Sequence, residues 1–329
     1  MALLPDTREG RNNMFVKFLV AAVLAGTPLL FGTVGEILNE HVGHLNLGVE
    51  GMMSIGACAG FMVGYVTDSF AAAIFAAFLG GAIAALIYAF LTVTLFANQN
   101  VTGLTLTIFG IGLSNFVGVF MIGRSENKTL KLPENITAQM RGGNFFGLEE
   151  LPVVGELLFS YNPFVYIGIV IALLCSYYLY RTKTGLNVRA IGENPASADA
   201  AGIKVVMLKY INIVIGGGIC GIGGAYCSMI INSGVWISDN VGGLGWIAVA
   251  LVIFAAWKPH YAIFGSFVFG ALRVLKFYVP KSVLPFPNAF YDMLPFLITA
   301  LVLVVSSIKK SSGAHIPAHL GVNYFREER

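Results

Sequence analysis

Long apolar runs, each bounded by polar residues, recur along most of this chain. A run of about 20 apolar residues matches the hydrocarbon thickness of a bilayer and predicts a transmembrane helix. We therefore predict an all-α, polytopic transmembrane bundle of about nine spans, with its membrane region at residues 15–308 of a single domain, 1–329. The predicted spans are residues 15–32, 47–66, 70–96, 101–123, 163–180, 205–231, 244–257, 261–279 and 290–308.

The composition excludes a water-soluble domain. Hydrophobic residues make up 57% of the sequence and charged residues 11%, whereas soluble domains carry about 25% charged residues. The net charge of +3 gives no indication of a nucleic-acid partner, and we expect none. All the cysteines lie in apolar runs, and we interpret them as small packing residues with no disulfide or metal site: Cys58, Cys175, Cys220 and Cys227.

The lysine and arginine distribution predicts how the spans are oriented. The interval 181–204 holds Arg181, Lys183, Arg189 and Lys204 against two acidic residues, and the tail 309–329 is also basic. Both should be cytoplasmic, and the glutamate-rich interval 124–161 should be extracytoplasmic. Nine spans then place the N-terminus outside, although the basic residues near it oppose that placement. A signal peptide is the alternative for the first run, but no clear small-residue cleavage site follows it.

No motif for ATP binding or catalysis is present in the sequence. It contains no GxxxxGK[ST] phosphate loop, so another polypeptide would have to bind ATP if ATP drives its activity. The glycines of 216–221 formally match a dinucleotide fingerprint, but they lie within a span, where small residues let helices pack closely. His41 and His44 are three apart, yet without a third ligand nearby they are better explained as interfacial polar residues than as a metal site.

The polar interval 181–204 encodes a short helix. Asn194 is a favourable N-cap, Pro195 suits the first helical position, and Gly202 stands where a C-terminal glycine cap belongs. A helix of about two turns is marginal alone and requires packing against something. It is either a connector lying on its own bundle or a docking helix for a soluble partner.

Three motifs, in order, resemble one family of transporters. They are residues 35–53 (GEILNEHVGHLNLGVEGMM), 184–203 (TGLNVRAIGENPASADAAGI), and 245–254 (GWIAVALVIF) followed by Trp257-Lys258-Pro259. The likeness extends from about residue 27 to 308. The chain resembles permeases of the branched-chain amino acid, ribose and nucleoside importer superfamily of ABC transporters, and most closely the nucleoside and simple-sugar subgroup.

The resemblance implies one permease half of an importer in a bacterial cytoplasmic membrane. Its partners would be a second, longer permease in a heterodimer, an extracytoplasmic binding protein, and ATPase subunits that hold ATP and Mg²⁺, with no cofactor in this chain. Nucleosides are the first choice of cargo, and simple sugars or riboflavin come next. The residues expected to dock the ATPase are Arg189, Glu193, Asn194, Pro195, Asp199, Ala200 and Gly202.

The polar stretch 36–50 and Asn115 are the candidates for a translocation path. Asn46 and Glu50 would share one face if the stretch is helical. The stretch is either a surface loop or an interrupted region buried in protein, which is where irregular backbone is tolerated at membrane depth. Asn115, deep in a predicted span, either lines the path or bonds a neighbouring helix.

Two other functional classes remain open. An ion-coupled secondary transporter would require a coupling-ion site and often has paired broken helices, but only one broken segment is evident and no matching one. A membrane-embedded enzyme would require a convergent catalytic set, and none is visible.

The orientation can be tested by cysteine labelling in spheroplasts of a variant without native cysteines. A cysteine at Ser197 should react with an impermeant maleimide only after permeabilisation, since the positive-inside bias places 181–204 in the cytoplasm. A control cysteine at Lys128 should react at once. Labelling of Ser197→Cys in intact spheroplasts would contradict the orientation.

Overall fold

The computed structural model describes residues 8–125, 127–140, 154–279, 287–309 and 316–325 of the chain. Helices account for nearly all of the regular structure in these ranges, and one isolated bridge pairs Lys131 with Val235. The predicted all-α class is confirmed. The helices are α1 (Arg8–His41), α2 (Val49–Thr67), α3 (Phe70–Ala89), α4 (Gln99–Arg124), α5 (Glu134–Met140), α6 (Val154–Phe159), α7 (Pro163–Arg181), α8 (Lys183–Glu193), α9 (Pro195–Ala200), α10 (Val205–Tyr226), α11 (Leu244–Phe254), α12 (Pro259–Tyr278) and α13 (Asn288–Lys309).

Seven of the described helices are long and apolar enough to cross a membrane: α1, α2, α3, α4, α7, α10 and α12. A π-helical turn extends α3 to Thr94, and another extends α10 to Ile231. Helix α11 has 11 residues, too few for a full span. The last helix, α13, has 22 residues and is not among these seven. The predicted count of nine therefore holds only approximately, because α11 enters the bundle without crossing it.

Helix α10 lies at the centre of the bundle and packs against α1, α2 and α3. Its glycines allow the backbones to touch: a methyl group on Gly217 would overlap α3, and one on Gly221 would overlap α3 beside Gly81. On α2, a methyl group on Gly56 would overlap the Cα of Gly221. The glycine run thus serves helix packing, as its position within a span predicts. Its location inside a transmembrane helix excludes a dinucleotide-binding site there.

The polar stretch 36–50 is divided between a helix end and a break. Helix α1 continues to His41, about two turns beyond the end of its predicted apolar run, so Glu36 and Glu40 are helical and buried. Residues 42–48 are not helical. They run back into the bundle, because Leu47 and Gly48 lie against Gly103 of α4. Helix α2 therefore begins inside the bundle rather than at its surface.

A second helix, α11, also begins inside the bundle. A methyl group on Gly245 would overlap the backbone of Glu50 in the first turn of α2, so the two helices start at the same depth. Helix α11 then ends near His41, whose ring nitrogen lies 2.9 Å from the carbonyl oxygen of Trp257. Helices α8, α9 and residues 316–325 gather at this same end of the bundle, here named the α8–α9 end.

The contact between α2 and α10 predicts the effect of a single methyl group. Gly56→Ala should lower the free energy of unfolding by about 1–3 kcal/mol, because the added carbon forces two helix backbones apart. Thermal unfolding of the purified chain in detergent measures this. Gly112→Ala is the matched control, since nothing lies within 4 Å of its added carbon. Equal midpoints for the two variants would contradict the close packing.

Candidate functional site

The interrupted segment 42–48 is held by side chains that replace the missing helical hydrogen bonds. Backbone amides of Leu45, Asn46 and Gly48 donate to side-chain oxygens, and the carbonyls of Leu45 and Leu47 accept from hydroxyls. The donor–acceptor pairs are Leu45 N to Gln99 Oε1 (2.9 Å), Asn46 N to Glu36 Oε1 (2.8 Å), Gly48 N to Asn46 Oδ1 (2.9 Å), Tyr88 Oη to Leu45 O (2.9 Å) and Thr107 Oγ1 to Leu47 O (2.9 Å). Irregular backbone at membrane depth is tolerated when it is satisfied in this way.

Glu36 and Glu40 on α1 serve different parts of this junction. Glu36 also accepts a bond from the side-chain amide of Asn39 at 2.7 Å, so both of its oxygens are used. Glu40 accepts a bond from the indole nitrogen of Trp257. Trp257 itself sits in the left-handed region (φ 58) just after α11. The Trp257-Lys258-Pro259 motif thus fastens the end of α11 to the end of α1.

Glu50 links the two helices that start inside the bundle. Its carboxylate accepts the backbone amides of Gly243 at 2.8 Å and Gly245 at 2.6 Å, at the N-terminus of α11. Amides at a helix start have no intrahelical acceptor, and the helix dipole favours a negative group there. Glu50 therefore caps α11 from α2, which fixes the depth at which both helices begin.

Beside Glu50, a notch of about 240 Å³ opens at the lateral surface of the bundle, where its lining residue Asp239 is exposed. Trp246 and Ser54 form part of its wall. Asp239 and Asn115 of α4 bond reciprocally: the Asn115 amide donates to Asp239 at 2.8 Å, and the Asp239 backbone amide donates to Asn115 at 3.0 Å. The notch is thus lined by two carboxylates, those of Glu50 and Asp239, and by an indole, while Asn115 holds Asp239 from α4.

Of the three candidate path residues, Glu50 lines the notch, Asn115 is linked to it through Asp239, and Asn46 lies outside it. Asn46 is fully buried, and its side chain bonds Gly48 N and the sulfur of Met52. Asn46 and Glu50 do not share a helical face, because the condition for it is not met: the chain is not helical at Asn46. Sequence reasoning missed Asp239, whose signal was a polar group at 238–240 between two apolar runs. The participation of Asn46, Glu50 and Asn115 in transport stays a prediction.

The expected docking helix is present as α9. Asn194 caps it by accepting from Ser197 N at 2.9 Å, Pro195 opens it, and Gly202 follows it with φ +80. These three sequence predictions are confirmed. One face of α9, including Ala198, is buried against the bundle, whereas Ala200 on the other face is exposed. A second helix, α8, precedes it and was not foreseen.

The predicted docking residues do not all face outward. Glu193, Asn194, Ala200 and Gly202 are exposed, whereas Pro195 is buried. Arg189 stacks over the ring of Tyr180 at 5.1 Å. Asp199 accepts a hydrogen bond from the Tyr324 hydroxyl at 3.0 Å. These latter residues hold α8 and α9 to the chain itself, and the docking role of the set stays a prediction.

Residues 316–325, here named the strap, tie α9 to the interrupted segment. The backbone amides of His319 and Gly321 donate to the carbonyls of Gly192 (2.9 Å) and Gly43 (3.1 Å). Asn323 bonds the carbonyl of Phe96 at 2.7 Å and accepts from Gln99, which in turn accepts from Leu45. Together with the Tyr324–Asp199 bond, these hydrogen bonds connect α8, α9, the strap and the break before α2.

The sequence of this chain is similar to the sequences of known membrane permeases. Residues 18–303 match the family model of the branched-chain amino acid transport system / permease component. The chain is 36% identical over 258 residues to TsgC13 of Haloferax volcanii, provisionally named a glucose ABC transporter permease (78% of this chain, 76% of that protein). It is 31% identical to the nucleoside ABC transporter permease NupC of Lactococcus lactis (95% and 98%) and 31% identical to the guanosine ABC transporter permease NupQ of Bacillus subtilis (86% and 89%).

The two hydrogen bonds that Glu36 accepts predict that its replacement will destabilise the fold strongly. Glu36→Ala should lower the free energy of unfolding by about 2–5 kcal/mol, because the Asn46 amide and the Asn39 side chain lose their acceptor, and each buried unsatisfied group costs about 1–3 kcal/mol. Thermal unfolding in detergent measures the change. Glu134→Ala, at an exposed site on α5, should stay within about 0.5 kcal/mol. Equal changes in the free energy of unfolding of the two variants would show that the hydrogen bonds of Glu36 do not stabilise the fold.

Proposed function

The chain belongs to the family of branched-chain amino acid transport system permease components, and from this premise we propose that it is one permease half of an ATP-driven importer of nucleosides. Membership makes it a membrane-embedded subunit that works with ATPase and substrate-binding partners. The cargo, the pairing of the two permeases and the sidedness are proposed on the arguments that follow.

The observation that carries the proposal is the polar notch beside Glu50. Its exposed carboxylate, Asp239, lies at the lateral surface of the bundle at the level where α2 and α11 begin. A charged side chain facing hydrocarbon is costly, and such residues almost always face a protein interior or a water-filled cavity. This supports a path enclosed when a second permease covers the notch.

Nucleosides fit the groups around this notch. A ribose offers hydroxyl donors to the Asp239 carboxylate, which Asn115 holds in place, and a base plane can stack on the Trp246 indole. The similarity to NupC and NupQ supports the same cargo and covers more of this chain than the similarity to TsgC13 does. Simple sugars are the second candidate, because TsgC13 is the more identical relative and a sugar offers the same hydroxyls.

The α8–α9 end is proposed to face the cytoplasm and to receive an ATPase subunit. The exposed face of α9 carries small residues, including Ser197 and Ala200, that allow close approach. ATP and Mg²⁺ are expected on the ATPase, and this chain is proposed to hold no cofactor of its own. The second permease is proposed to be a different, related chain, because the family resemblance implies a heterodimer of two permeases.

The cargo can be tested with the complete importer in proteoliposomes. Radiolabelled guanosine should accumulate only with ATP and the binding protein, and faster than glucose. Asp239→Ala should slow guanosine uptake about tenfold or more, because a hydrogen bond to a charged group contributes about 1.5–3 kcal/mol. Asp292→Ala, which removes a surface pair with Lys276 (2.6 Å), is the matched control.

Each alternative has its own outcome in that experiment. Uptake of glucose without guanosine would reassign the cargo to sugars. Uptake driven by an ion gradient without ATP would indicate a secondary transporter. Native mass spectrometry of the same complex should find a distinct second permease, and two copies of this chain alone would contradict the heterodimer.

Docking can be tested on the exposed face of α9. Ala200→Glu should insert normally yet fail to transport, because a bulky charge at a close contact is buried unpaired, which costs several kcal/mol. Substrate-loaded binding protein should no longer stimulate ATP hydrolysis. Ala200→Ser keeps the residue small and should behave as the unmodified chain. Full coupling in Ala200→Glu would show that α9 is only a connector.

A further inference from the structure

A second cavity, of about 550 Å³, lies at the α8–α9 end, apart from the notch. Its walls are the start of α10, the π-helical end of α3 and the strap, and His44 of the interrupted segment closes its inner side. The proposed path does not use it, and of the predicted docking residues only Asp199 and Gly202 lie in its lining. The cavity is open to one side, so a small solute or a headgroup can enter.

Lys209 of α10 lines this cavity, and no residue in the described ranges forms an ion pair with it. Its side chain is 4% exposed. No hydrogen bond joins it to any residue that the structure describes. It is the fifth residue of α10, where the partial positive charge of a helix start opposes a cation. A buried, unpaired ammonium group is strongly unfavourable, so its position indicates a missing anionic partner.

His44 offers a second unused polar group. It is 1% exposed, and within the described ranges neither ring nitrogen has a hydrogen-bond partner. Burial, together with the neighbouring Lys209 and His319, lowers the pKa of His44 well below its usual value. The ring is therefore neutral at pH 7 and presents one N–H donor.

The remaining groups leave an excess of positive charge around the cavity. Lys204 stands exposed among its lining residues, and His319 lies close enough to affect His44. Asp199 is the carboxylate in the lining, and it accepts the Tyr324 hydroxyl. Val206 and Met207, in the first turn of α10, also line the cavity, and amides at a helix start have no intrahelical acceptor.

From these observations we propose that the cavity binds a phosphate-bearing anion, with Lys209 as its counter-ion and the start of α10 and the His44 ring as donors. A helix start with a nearby lysine is a recurrent phosphate-binding arrangement. The phosphate belongs either to a soluble compound or to the headgroup of an anionic lipid, since the cavity lies where the bundle meets one membrane surface. The bound anion would contact α10, the interrupted segment and the strap together.

The test uses the complete importer in nanodiscs and follows hydrogen exchange of peptides covering residues 203–209 and 316–325. One arm titrates inorganic phosphate against chloride at constant ionic strength in phosphatidylcholine discs. The other compares phosphatidylglycerol with phosphatidylcholine discs without free phosphate. Lys209→Met is the test variant, and Lys258→Met, a half-buried lysine at the same end, is the matched control.

Phosphate should slow exchange in both peptides with a saturable dependence, and Lys209→Met should weaken that response at least tenfold while Lys258→Met leaves it unchanged. A response to phosphatidylglycerol alone, lost in Lys209→Met, assigns the phosphate to a lipid. No response in either arm of the unmodified protein, or an equal response in Lys209→Met, overturns the proposal. The outcome does not depend on the transported cargo, so it is separate from any failure of the proposed function.

Discussion

The need to satisfy backbone hydrogen bonds away from water governs this structure. A chain that leaves the helical state within a bundle exposes amides and carbonyls that hydrocarbon cannot bond. Here Glu36, Tyr88, Gln99 and Thr107, from three helices, meet that need for residues 42–48. Once they fix the break, the start of α2 is fixed, and with it Glu50, the cap of α11 and the notch. The polar residues of the first motif are thus structural before they are functional.

Glycine supplies the complementary half of the architecture. Lipid tails are as apolar as leucine, so helices in a membrane gain little from hiding apolar surface and depend on close packing instead. The contacts of α10 with α1, α2 and α3 meet this requirement through glycine on both sides, as at Gly56 with Gly221 and Gly35 with Gly216. Close backbones leave little room for rearrangement in the centre of the bundle.

The sequence predicts what depends on local composition and leaves out what depends on long-range contacts. Helical spans follow from apolar runs, and the α9 cap follows from Asn194, Pro195 and Gly202, because both are set within a few residues. The role of Glu50 could not be predicted, since its partners Gly243 and Gly245 are more than 190 residues away. The non-helical segment 232–243 falls between two predicted spans, but its contact with α4 could not be predicted, because it depends on the bond between Asp239 and Asn115, which are 124 residues apart.

The strap gives the α8–α9 end an order of assembly. Tyr324 is 125 residues later in the chain than its partner Asp199, and Asn323 is 227 later than Phe96. During synthesis, α9 and the break before α2 therefore leave the ribosome well before the residues that join them. Their hydrogen bonds to the strap cannot form until residues 323–324 emerge. The support beneath the surface proposed to receive the ATPase is thus complete only after the spans are made.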